Sequence, residues 1–154
     1  MAFGPVSPLR AQAGPKRVVP VVPLVALAIN DLSFGTVLPG IPSSVSVGDA
    51  HRAGRFEIDG PAGASIRVEF ILPAALVAGG AVLPVSFGAG DGRAVFSSGS
   101  TPAIPFDPHS PLIVALGSDG RLFVVLGGTV IPARTEAGGA YSATITMTVF
   151  NLGS

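Results

Sequence analysis

The sequence predicts an all-β fold, a sandwich of antiparallel sheets, on three observations. Apolar and polar residues alternate in short runs, with the two-residue period of a strand that buries one face. Glycine and proline, 21 and 15 of the 154 residues, interrupt the chain between these runs. No stretch sustains the apolar period of a helix. Many short strands separated by turn residues are typical of a β-sandwich.

The apolar-alternating runs give nine predicted strands. They cover residues 32–38, 44–47, 55–59, 65–72, 81–87, 93–98, 111–116, 121–133 and 141–150. The run 65–72 has the clearest pattern, because its apolar residues alternate with Arg67 and Glu69 as in a sheet with one solvent-facing side. The only helical spacing lies at 73–80, where about one turn is expected.

Two glycine-containing pairs predict particular backbone geometry. Asp-Gly at 119–120 separates two apolar runs, and this dipeptide predicts an antiparallel hairpin between them. The adjacent glycines at 127–128 lie inside a strand pattern, which predicts a β-bulge or a close approach of another backbone segment.

The last predicted strand has a one-sided pattern. Its apolar positions are Tyr141, Ala143, Ile145, Met147 and Val149. Serine and threonine occupy the alternate positions, so we expect the apolar side to meet the core. Only three residues follow Asn151, so we expect no later segment to pair with the second edge of this strand. An unpaired edge of this length favours association with another chain.

Residues 1–29 are predicted to form an arm, and residues 30–154 a β-sandwich domain. The run 17–30 is strongly apolar, but Pro20 and Pro23 lack the backbone donor that the middle of a sheet requires. Such a segment suits the edge of a sheet or an extended arm.

The composition excludes several classes of protein. The net charge is zero and Lys16 is the only lysine, so the chain lacks the basic surface of a nucleic-acid binder. Prolines and polar residues interrupt the long apolar stretch, so no membrane span is expected. Without cysteine there is no disulfide or thiol catalysis. Residues 11–13 resemble a signal-peptidase site, but no apolar run precedes them. Either the precursor is longer than this sequence, which we favour, or export uses a signal that the sequence does not show.

No constellation of catalytic or metal-binding residues can be assembled from the sequence. His51 and His109 lie in turn-like stretches with no second ligand at metal spacing. The carboxylates are isolated, and the glycine-rich stretch 88–93 lacks the lysine and the helix of a phosphate-binding loop. We therefore expect no enzyme activity, no cofactor and no metal site.

Three segments together carry a resemblance to a known family. They are residues 31–40 (DLSFGTVLPG), residues 53–76 (AGRFEIDGPAGASIRVEFILPAAL) and residues 124–152 (VVLGGTVIPARTEAGGAYSATITMTVFNL). The chain resembles the secreted bacterial domains similar to spore coat protein U and the archaic chaperone-usher pilins. It lacks the cysteines of the coat-protein-U relatives, and so it looks closer to their cysteine-free branch.

The resemblance implies an immunoglobulin-like sandwich that lacks its last strand and is completed by the N-terminal arm of a neighbouring subunit. The implied donor side chains, which share one strand parity, are Val19, Val21, Val25 and Leu27. The implied acceptor groove is the apolar side of the last strand, from Tyr141 to Val149. The implied function is a subunit of an extracellular filament at the cell surface, a homopolymer built head to tail by donor-strand exchange, for adhesion, biofilm or surface coating. A periplasmic chaperone and an outer-membrane usher are the implied partners during secretion.

Two other functions stay open. The first is a monomeric secreted or surface-attached binding module, in which the N-terminal arm folds back and completes its own sandwich. The second is an enzyme, which we disfavour because no nucleophile, base and orienting group can be assigned together. A particle near 15.3 kDa would distinguish the monomeric module from a polymer that survives dilution.

Overall fold

The computed structural model describes residues 23–97, 99 and 101–153, and in these residues it contains strands and no helix. The described strands are β1 (Val25–Asn30), β2 (Ser43–Val45), β3 (Gly54–Asp59), β4 (Ser65–Ile71), β5 (Ala75–Ala78), β6 (Ala81–Ser86), β7 (Gly92–Phe96), β8 (Ile104–Phe106), β9 (Leu112–Ala115), β10 (Arg121–Leu126), β11 (Gly128–Val130) and β12 (Thr146–Gly153). The prediction of an all-β fold is confirmed.

Five strands form the first layer, in the order β1-β3-β10-β7-β8, and each neighbouring pair is antiparallel. The strands β3 and β10 lie at its centre, and their residues alternate between the core and the outer face. Phe56 and Ile58 of β3 and Leu122 and Val124 of β10 are buried. This layer therefore presents one continuous apolar side to the rest of the protein.

The second layer consists of two smaller sheets. One has the order β12-β4-β9 and the other the order β2-β11-β6-β5. Two backbone hydrogen bonds between Val77 and Ser142, of 2.9 and 3.0 Å, connect them. The ring of Phe70 on β4 contacts the ring of Phe56 on β3, with 5.9 Å between centroids, and both side chains adjoin one apolar core. The arrangement is consistent with a β-sandwich.

Two adjacent glycines carry the chain from the first layer into the sheet that contains β2, β6 and β5. The strand β10 ends at Leu126 and β11 begins at Gly128. A Cβ atom on Gly127 would lie 2.3 Å from the carbonyl oxygen of Val45, so no side chain fits there. This is the close backbone approach that the glycine pair predicted.

The Asp-Gly turn does not form the predicted hairpin. The strand before it, β9, pairs with β4, whereas the strand after it, β10, pairs with β3 and β7. The turn itself is tight, since Gly120 has a φ of 70° and its N–H donates to the carbonyl oxygen of Gly117 over 2.9 Å. The strand β9 belongs to the second layer and β10 to the first, and each buries its apolar side against the core. The turn therefore connects the two layers.

Two other expectations differ from the structure. Residues 75–78 of the expected helical turn form β5, because Gly79 has a φ of 60° and closes a hairpin with β6. Residues 32–38 form no strand, because Gly35, with a φ of 65°, turns the chain. Leu32 within that segment still reaches the core.

The predicted boundary between arm and domain falls inside β1. Residues 25–28 pair with β3, with Ala26 opposite Ile58, so the end of the predicted arm belongs to the first layer. The remainder of the arm, residues 1–22, lies outside the described residues.

Candidate functional site: the second edge of the last strand and its pocket

The strand β12 buries one side in its first half. Met147 and Val149 of this strand and Ile145 directly before it are 0% exposed, and Met147 lies opposite Phe70 in the register with β4. The structure therefore brings three of the five predicted groove residues together on the core side. Because these three are already covered within one chain, the groove is closed along this part of the strand.

The second edge of β12 carries no strand in the described part of the chain. β12 pairs with β4 alone and ends its sheet, while β4 continues to β9 on its other side. In an antiparallel sheet the backbone groups of alternate residues point to each edge. Part of the backbone of Thr146–Gly153 therefore points to an edge with which no described strand pairs.

The other two predicted groove residues, Tyr141 and Ala143, lie before β12 and are half-buried. They line a pocket of about 640 Å³. Its apolar lining also includes Leu32, Leu76 and Leu83, which belong to the core. The groove is thus open at the beginning of the last segment and closed further along it.

A hydrogen-bonded loop forms one wall of this pocket. The single hydroxyl hydrogen of Tyr141 is shared between two acceptors, the carbonyl oxygen of Ala137 at 2.5 Å and Oε2 of Glu136 at 3.2 Å. Burial raises the pKa of Tyr141, and the hydrogen bond and negative charge of Glu136 raise it further. The N–H of Gly40 donates to the carbonyl oxygen of Ala133 over 3.0 Å, so the two loops at the pocket are tied together.

Sequence reasoning missed the two carboxylates of the pocket, Asp31 and Glu136. Both were interpreted as isolated surface acids, since they lie 105 positions apart. Their contribution to one pocket depends on the path of residues 31–39 and 136–143, which the pairing of distant strands determines. The sequence signal that could have found Glu136 is the tyrosine five residues after it.

The predicted donor side chains divide into two groups. Val19 and Val21 lie outside the described residues. Val25 and Leu27 are on the outer face of β1, 39% and 48% exposed, so the structure does not place them in a groove. The inward residues are Leu24 and Ala26, which β1 turns towards the core.

The outward position of Val25 and Leu27 has a geometric cause. A Cβ atom on Gly60 would lie 2.9 Å from Cδ1 of Leu24, so that glycine leaves the space into which the leucine packs. Once Leu24 is inside, strand alternation turns the side chains of residues 25 and 27 outwards.

The remaining polar groups form turns and surface ion pairs. Asp107 accepts hydrogen bonds from N and Nδ1 of His109, both at 2.9 Å, and these bonds lower the pKa of Asp107. Nε of Arg121 donates to Asp59 over 2.8 Å on the outer face of the first layer. A hydrogen bond with Asp59 is the largest cause of the raised pKa of Glu57.

No group of three or more potential metal ligands occurs among the residues that the structure describes. In the same residues no helix has the length and apolarity to cross a membrane. The chain matches no protein-family model, no curated protein and no solved structure.

Proposed function

We propose that this protein is a structural subunit of an extracellular, pilus-like filament. Subunits join head to tail by donor-strand exchange, and the homopolymer serves adhesion, biofilm cohesion or surface coating. The observation that carries the proposal is the edge of β12 with which no described strand pairs, together with a pocket lined by core residues at the beginning of the same segment. An edge of this kind binds an extended segment through backbone hydrogen bonds and side-chain pockets.

The strand order supports an immunoglobulin-like sandwich that lacks one strand. In that fold the strands A, B, E and D form one sheet and C, F and G the other. The order β1-β3-β10-β7 corresponds to A-B-E-D, and the neighbours β4 and β12 correspond to C and F. The position beside β12 is where G would pair. One departure is β9, which pairs with β4 although it follows β7 in the chain.

The hydrogen bond of Tyr141 supports the same assignment. In immunoglobulin-like sandwiches a tyrosine near the start of strand F donates its hydroxyl to a backbone group a few residues upstream. Tyr141 precedes β12 and donates to the carbonyl oxygen of Ala137, four residues earlier. The arrangement fits the E–F corner of that fold.

The physics of strand addition favours an open filament. A donor from a second copy would add a row of backbone hydrogen bonds along β12, each worth about 0.5–1.5 kcal/mol net. It would also bury aliphatic side chains, at about 1.5–3 kcal/mol each. Because donor and acceptor are different parts of the chain, the contact is heterologous and propagates.

The donor in this proposal lies before Leu24. Val25 and Leu27 belong to β1 of their own subunit and are unavailable for donation, whereas Val19 and Val21 remain candidates. A subunit with a vacant strand position is prone to association before assembly. We therefore include a periplasmic chaperone and an outer-membrane usher in the proposal.

The experiment that tests the proposal removes residues 1–22 and examines the purified protein by negative-stain electron microscopy. We expect filaments from the full chain and none from the truncated chain, which keeps β1 intact. Removal of residues 1–14 is the matched control and should leave assembly unchanged. Filaments from the chain without residues 1–22 would exclude the arm as donor, and their absence from the full chain would contradict the function.

A monomeric binding module is the second candidate function. The observation that favours it is the pairing of β1 with β3 of the same chain, which gives the first layer an intramolecular edge strand. This function predicts a mass near 15.3 kDa at every concentration. Sedimentation equilibrium over a wide concentration range distinguishes the two functions.

A further inference from the structure

The pocket beside Tyr141 is lined by two acidic side chains and by no basic side chain. Asp31 and Glu136 are its charged lining residues, and neither forms an ion pair within the described residues. The guanidinium of Arg52 lies beside the lining residue Gly35, 3.3 Å from the position of a Cβ atom on that glycine. The site therefore combines an apolar interior with two carboxylates that have no ion-pair partner among the described residues.

One segment of the chain has the complementary pattern. Residues 16–22 read KRVVPVV, two adjacent cations followed by five apolar residues. Lys16 is the only lysine of the protein, and no other two residues of the Lys and Arg types are adjacent in the sequence. A pocket of about 640 Å³ has the size of a site that encloses a few residues of an extended peptide.

We infer that this pocket receives residues 16–22 of a second copy of the chain, with Lys16 and Arg17 paired to Asp31 and Glu136 at its mouth. The inference rests on the proposed function and adds the contact that fixes where the arm enters. The apolar residues after Arg17 enter the pocket, and the two cations remain at the rim, where water is available to them. The charge pairs determine register, since an arm shifted by several residues leaves the carboxylates unpaired.

The proposed filament assigns the arm to a second copy. Arg17 precedes Leu24 by seven residues, and Asp31 follows Leu24 by seven residues. An arm that entered the pocket of its own chain would have to reverse direction between Arg17 and Leu24, whereas the arm of a second copy has no such constraint. The occupant in this inference is therefore a second copy, and the assembly experiment below tests that choice.

Tyr141 provides a direct signal for occupation of the pocket. It is the only tyrosine, and the chain has no tryptophan, so the intrinsic emission of the protein comes from a residue that lines this pocket. The heptapeptide KRVVPVV contains no aromatic residue and does not contribute to that emission. Binding of the peptide is thus measurable as a saturable change in tyrosine fluorescence.

The first experiment titrates this peptide into the full chain carrying Lys16→Glu and Arg17→Glu, whose own arms then do not compete for the pocket. We expect KRVVPVV to bind and the reversed peptide EEVVPVV to bind about tenfold more weakly, with a difference that decreases at high salt. Glu136→Gln, which keeps the acceptor for Tyr141, should reduce the preference for the basic peptide, as should Asp31→Asn. Equal binding of both peptides, or no binding, overturns the inference.

The second experiment measures assembly of the full chain. We expect the double reversal at residues 16 and 17 to slow filament growth about tenfold, and further substitution of Asp31→Lys and Glu136→Lys to restore it. Filaments that grow at the unmodified rate from the chain reversed only in its arm overturn the inference and leave the proposed function standing. If the unmodified chain forms no filament, the proposed function fails, and the peptide titration still tests the pocket. If the unmodified chain has the fluorescence of the peptide-bound pocket while it is a monomer of 15.3 kDa, the arm occupies the pocket of its own chain and the inference is overturned.

Discussion

Shortening Met147 to alanine should cost about 3–4 kcal/mol of unfolding free energy. The side chain is 0% exposed and lies opposite Phe70 across the pairing of β12 with β4. The substitution removes three heavy atoms, about 2.4 kcal/mol at about 0.8 kcal/mol per buried methylene equivalent. The cavity left behind raises this figure within the range of about 2–5 kcal/mol for such truncations.

Urea denaturation followed by circular dichroism measures this change. With a slope of about 2 kcal/mol per molar urea, a loss of 3 kcal/mol lowers the midpoint by about 1.5 M at unchanged slope. Thr148→Ala is the matched control on the other side of the same strand, and it should change stability by no more than about 0.5 kcal/mol. Met147→Leu, which preserves volume, should cost less than about 1.5 kcal/mol. Equal midpoints for the two alanine variants would refute the assignment of the buried side of β12.

Three further predictions concern other parts of the fold. Gly127→Ala should destabilise the protein by several kcal/mol, because the new Cβ atom would lie 2.3 Å from a backbone oxygen. Gly90→Ala is the control and should change stability little, because no atom lies within 4 Å of its new Cβ. Thermal melts of the two variants measure the difference. Leu24→Ala should cost about 2–5 kcal/mol and Leu27→Ala much less, and equal losses in urea denaturation would contradict the observed parity of β1. The pKa of Asp119 is lowered, first by the hydrogen bond from Ser97, so its stabilising contribution is present above the unfolded value of 3.8 and is lost as the pH falls through the folded value. Asp119→Asn should therefore lower the melting temperature at neutral pH but not in strong acid, and a pH-independent difference would contradict this cause.

The alternation of apolar and polar residues was sufficient to predict strands that have one side in the core and the other side towards solvent. The run 65–72 corresponds to β4, in which Ile66 and Val68 are buried and Arg67 is on the outer side. Alternation also separated the buried Met147 from its threonine neighbours. In both cases the pattern of residues two apart carries the information, and no knowledge of the partner strand is needed.

Features that depend on which strand pairs with which could not be predicted from local alternation. Asp-Gly at 119–120 forms a tight turn, but whether the flanking strands pair with each other depends on competition with β3 and β4. The side of β1 that faces the core could not be predicted for a similar reason, since Val25 and Leu27 are as apolar as Leu24. The space above Gly60 accommodates the leucine in the core. Asp31 and Glu136 likewise come to line one pocket only after distant segments have paired.

The pairing of β10 with β3 has a consequence for the order in which the protein can fold. Asp59 and Arg121, which lie opposite each other in this pair, are 62 positions apart in sequence. Contacts at such separation require long loops to close before they contribute energy, and folding dominated by them takes milliseconds to seconds. The centre of the first layer stays unpaired until the ribosome has released Leu126, and β12 emerges later still. During this interval the nascent chain exposes apolar strands, so its concentration and the proteins that bind it decide between productive folding and aggregation.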